Sequence, residues 1–114
     1  MTIISGKEKD QIAYLHSHSI LVPGSQEVLG VIIGDCVYGK KGVFKGKYLN
    51  KKFYSPEGEL LATEDGSVNN NVVDFSKIRQ QIWNVINSIK NHSSPWVVPK
   101  NIWAAYSFPD FLLS

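Results

Sequence analysis

With 114 residues, 43% of them hydrophobic and 19% charged, the chain has the size and composition of one globular domain, which excludes a disordered or fibrous protein. A formal charge of +2 is too small to imply a nucleic-acid or anionic-membrane partner by itself, and a single cysteine, Cys36, excludes an internal disulfide. The longest apolar run, Leu29 to Ile33, is broken by Gly30 and far too short to span a membrane, and Met1 to Ile4 leads into charged residues without a signal-peptide core. A cytoplasmic protein with no membrane partner is therefore expected.

Residues 1 to 18 begin with an apolar pair, Ile3-Ile4, a polar turn from Gly6 to Asp10, and a second apolar stretch, Gln11 to Leu15. From Leu21 to Ser67 one sixteen-residue unit occurs three times: Leu21–Asp35, Val37–Lys51 and Phe53–Ser67. Val28, Phe44 and Leu60 align, then Gly30, Gly46 and Ala62, then Gly34, Asn50 and Gly66. Residues 1 to 18 fit a fourth copy, with either Ala13 or Tyr14 at the place of Gly30. Each copy alternates two turns. The first is Pro23-Gly24-Ser25, Gly39-Lys40-Lys41-Gly42 or Ser55-Pro56-Glu57-Gly58, where Pro presets φ and Gly accepts the positive φ that closes a turn. The second, Gly34-Asp35, Asn50-Lys51 or Asp65-Gly66, contains a residue suited to a tight hairpin. A turn about every eight residues implies short antiparallel strands. Strict alternation directs Phe44, Gly46 and Tyr48 to the core and Lys45 and Lys47 to solvent. The small residues Gly30, Gly46 and Ala62 imply a close approach, read as crowding of the repeats around a shared axis.

Val68 to Val73 can complete the strands, giving a repeat region over residues 1–73. Asp74 is a suitable N-cap for an amphipathic helix over 74–91, with Phe75, Ile78, Ile82, Val85, Ile86 and Ile89 on one stripe and Gln80, Gln81 and Asn84 on the polar side. Residues 92–114 form an aromatic tail punctuated by Pro95, Pro99 and Pro109, which either covers the domain or binds a partner. The expected fold is mainly β (α+β): repeated short antiparallel hairpins packed around a common centre, one C-terminal amphipathic helix and the tail.

Val37-Tyr38-Gly39-Lys40-Lys41-Gly42-Val43-Phe44-Lys45-Gly46 and Phe53-Tyr54-Ser55-Pro56-Glu57-Gly58-Glu59-Leu60-Leu61-Ala62 share an apolar-Tyr pair, a Gly turn and an apolar-small strand. In this the chain resembles the small bacterial proteins described as four-fold β-flower domains. The resemblance covers about residues 1 to 67 and implies a hairpin-repeat fold; it carries no activity.

Function is read from three sets of residues. The aromatic tail, with Trp96, Ile102, Trp103, Tyr106, Phe108 and Phe111, suggests a non-catalytic interaction or assembly surface, with the protein itself (a homo-oligomer) or another protein as partner. Lys40, Lys41, Lys45, Lys47, Lys51 and Lys52, interleaved with aromatics, offer nucleic-acid binding as an alternative. His16 and His18, two apart on a strand, are weak candidates for a metal pair in a small hydrolase or metal-dependent enzyme, which Cys36, Asp35 and His92 could join only through the tertiary fold. No catalytic motif and no cofactor signature is found, and no catalytic residue is assigned.

Overall fold

The computed structural model describes residues 1–67 and 75–114. Eight short strands, β1 (Thr2–Ser5), β2 (Gln11–His16), β3 (Ser19–Leu21), β4 (Val28–Ile33), β5 (Cys36–Gly39), β6 (Phe44–Leu49), β7 (Lys52–Tyr54) and β8 (Leu60–Ser67), pair antiparallel in chain order. β8 returns to pair with β1, so the sheet closes into a barrel. The helices α1 (Phe75–Ser88) and α2 (Phe108–Leu113) follow. The mainly β expectation is met. The expected N-cap Asp74 and the continuation through Val68 to Val73 lie outside the described residues.

The turns have the chemistry their sequences indicate. In four turns an amide three residues on bonds back to a carbonyl: Lys9 to Gly6, Ser25 to Val22, Gly42 to Gly39 and Gly58 to Ser55. The amide opening each of these turns also bonds to the carbonyl of Asp10, Glu27, Val43 or Glu59, respectively. Just beyond each turn the pairing slips: between Ile4 and Ser5, Ile20 and Leu21, Val37 and Tyr38, and Phe53 and Tyr54. One residue of the opposite strand is therefore extra at each slip, namely Ile12, Leu29, Lys45 and Leu61. An inserted residue changes which face the following side chains occupy. Ala13, opposite Ile4, takes the small-residue place.

The slip overturns the face assignment made from strict alternation. Lys45 shares the inserted position with Leu29 and Leu61, both of which belong to the barrel's inner core, and it is only 7% exposed. Phe44, opposite Tyr38, packs with the clusters on the outside of the barrel. Tyr48 remains with the inner core. Lys47 is also buried, at 5%, although its strand position faces outward with Cys36, because residues near Ser94 cover it. The close approach expected at the small residues is present but has another cause than crowding at an axis. A Cβ on Gly30 would run into the Tyr38 carbonyl oxygen, and one on Gly46 into that of Tyr54. The backbone of the next strand occupies the space.

The inner core combines Ile4, Ile20, Leu29, Val37, Phe53 and Leu61 with Phe108 and Leu112 of α2. The Phe108 ring stands 5.0 Å from that of Phe53, and the Leu112 carbonyl accepts from the Lys40 amide. This short helix thus packs into the turn end of the barrel. α1, which ends at Ser88 and not at residue 91, packs outside, burying its Ile78 and Val85, with Ile89 just beyond it, against Leu21, Val28, Val31 and Tyr38. Gln81, placed by periodicity on the polar side, instead fastens the helix. Its Oε1 accepts from the Val28 amide at 2.8 Å and its Nε2 donates to the Gln26 carbonyl at 2.8 Å.

Candidate functional site

Between the helices, residues 95–106 run along the outside of the barrel beside the start of β8. The Lys100 amide donates to Gly58, Leu60 donates to Ile102, and Ala104 donates back to Leu60, making a parallel bridge between Leu60 and Trp103. Val97 is buried against Tyr54 and Leu60. In an extended segment its neighbours must face the other way. Trp96 is accordingly 90% exposed, Val98 61% and Ile102 57%. Tyr106 is also exposed and stacks on half-buried Phe111 with ring centroids 4.7 Å apart, while Trp103 is half-buried. Phe108, expected on this surface, is a core residue at 1% exposure and presents nothing to a partner. Val98 was missed by the sequence reading; the Trp96-Val97-Val98 alternation around a single buried residue is the signal that could have found it.

The six lysines do not form one surface. Lys40 and Lys41 sit on the turn between β5 and β6, and Lys51 and Lys52 on the turn between β6 and β7 and its edge. These turns are at opposite ends of the barrel, because successive turns of an up-and-down barrel alternate ends. Lys40 pairs with Glu27 at 2.6 Å. Lys45 donates to Ser114 Oγ at 2.7 Å and lies 4.7 Å from the Phe111 ring centroid. Burial holds its ammonium below the ordinary lysine range, with Lys41 adding repulsion.

The tertiary fold does bring Asp35 and Cys36 together with Lys47. Lys47 Nζ donates to Asp35 at 2.9 Å and to Ser94 Oγ at 2.6 Å, and the Cys36 thiol lies 3.6 Å from Asp35 and 3.5 Å from Ser94. Burial pulls the Lys47 pKa down, but the Asp35 carboxylate and the adjacent thiol outweigh it and hold the ammonium above the usual range. The hydrogen bond from Lys47 in turn lowers Asp35. His92 stands beside Tyr38, with 6.3 Å between ring centroids. Inside the barrel, the Tyr48 hydroxyl donates to Glu64; burial first, then that carboxylate, push the phenol up to about 12.

His16 ends β2 and His18 lies in the turn to β3, where Ser17 takes a positive φ of 56°, so the two do not share one strand as expected; both line a groove of about 610 Å³ between α1 and the barrel wall. Val31 and Ile33 line it from the barrel, and Ile78, Arg79, Ile82 and Ile86 from the helix. Among the described residues no three His, Cys, Asp or Glu side chains are grouped to hold a metal ion, and no helix is long and apolar enough to cross a membrane. Comparison with protein-family models, curated proteins and solved structures finds no match.

Proposed function

We propose that the chain is a non-catalytic assembly module that contacts a second copy of itself, in the cytoplasm, through the exposed face of residues 96–106. The observation that carries this reading is Trp96. Its indole stands in solvent on a segment that is tied down at Val97 and by backbone bonds to Gly58 and Leu60. A large aromatic held in place but left uncovered, with Val98 and Ile102 exposed on the same segment, is the composition of an interface anchor.

We also infer that the barrel is four copies of one hairpin, in the manner of four-fold β-flower domains. The recurring pair of turn bonds and the register slip after each of those turns support it.

Light scattering on a sizing column tests the assembly reading. The intact chain is expected to be a defined oligomer, and Trp96→Ser combined with Ile102→Ser a folded monomer. An intact chain that stays monomeric across the accessible concentration range overturns it.

A further inference from the structure

We propose that the groove between α1 and the barrel binds a medium-chain fatty acid, with its acyl chain along the isoleucines and its carboxylate at His16, His18 and Arg79. This reading is independent of the assembly surface.

Three features select that ligand. The groove's volume of about 610 Å³ falls in the range of small-molecule sites. Its helical side runs from Ile78 to Ile86, a rise of about 12 Å, and faces Val31 and Ile33, so a linear hydrocarbon meets apolar side chains along its whole length. The lining suits an anion: the Arg79 guanidinium carries a positive charge, His16 and His18 bring imidazole nitrogens, and among the described residues no carboxylate lines the groove. A guanidinium holds a carboxylate through charge-assisted hydrogen bonds.

A peptide fits less well. An extended peptide needs a free strand edge to satisfy its backbone, but β3 and β4 are both paired on each side. An acyl chain brings no backbone polar groups and needs no such edge.

The test is a titration of the intact, isotopically labelled protein with decanoate below its micellar concentration, followed by amide NMR, with decanol and acetate as controls. Saturable shifts are expected at Val31, Ile33, Ile78 and Ile82. Decanol should bind roughly tenfold more weakly or less, and acetate should not bind, since one charge-assisted contact is worth about that factor. Arg79→Glu, at an exposed helix position, should leave the melting temperature unchanged and weaken decanoate roughly tenfold or more. Trp96→Ser should leave decanoate binding as it was. Absence of saturable shifts at the groove overturns the proposal, as does equal affinity for decanol and decanoate or an unaltered affinity in Arg79→Glu.

Discussion

Lys45 stands where Leu29 and Leu61 stand in the flanking hairpins, so an ammonium occupies a place built for hydrocarbon. Its bond to Ser114 and its seat over Phe111 offset only part of its desolvation. Lys45→Leu is therefore expected to stabilise the fold by about 1 kcal/mol in urea melts. The linkage has a definite sign. Because the folded state lowers the pKa of Lys45, the unfolded chain binds more protons between the folded and unfolded values, and stability rises with pH through that alkaline interval. This contribution to the rise should vanish in Lys45→Leu. At Gly46, φ is 150° and an added Cβ would meet the Tyr54 carbonyl. Gly46→Ala should thus destabilise by about 2–3 kcal/mol in thermal melts, whereas Ala62→Gly, at the aligned place, should cost about 0.5–1 kcal/mol. The small residues were legible in the sequence as a close approach. The inward turn of Lys45 was not, because one inserted residue breaks the two-residue period without altering the pattern of letters.

The two elements after the barrel differ in how far their sequences disclose them. α1 shows its buried stripe in its spacing, and Ile78, Val85 and Ile89 are where that spacing puts them. Gln81 escaped because its use depends on the Val28 amide and the Gln26 carbonyl, which only the docked helix brings opposite it. The aromatic tail has no period, and its three prolines reset direction, so nothing local separates a core aromatic from an exposed one. The structure separates them sharply: Phe108 is 1% and Trp96 90% exposed. Phe108→Ala is expected to cost about 3–5 kcal/mol in chemical denaturation, and Trp96→Ser less than about 0.5 kcal/mol. Removal of everything after Ser94 takes Phe108 and Leu112 from the core, so a truncated chain should fail to give a cooperative transition.

For the whole molecule, hairpin order was readable because each turn announces itself within a few residues. Closure was not, since the pairing of β1 with β8 depends on the summed twist and slip of every strand between them. The groove was equally hidden. His16, Ile33 and Ile82 lie far apart in the chain, and only the docking of α1 beside the turn between β2 and β3 makes them neighbours. The seam itself joins residues as distant as Ser5 and Asp65, which are linked by a side-chain hydrogen bond. On the ribosome, this has a consequence for the growing chain. The hairpins can form one by one as they emerge, yet until Ser67 is free of the exit tunnel the sheet has two open edges, β1 and whichever strand came last. Such edges are templates for pairing with other chains, so the interval between the emergence of β1 and that of Ser67 from the tunnel is when neighbouring nascent copies on one message are most exposed to mispairing.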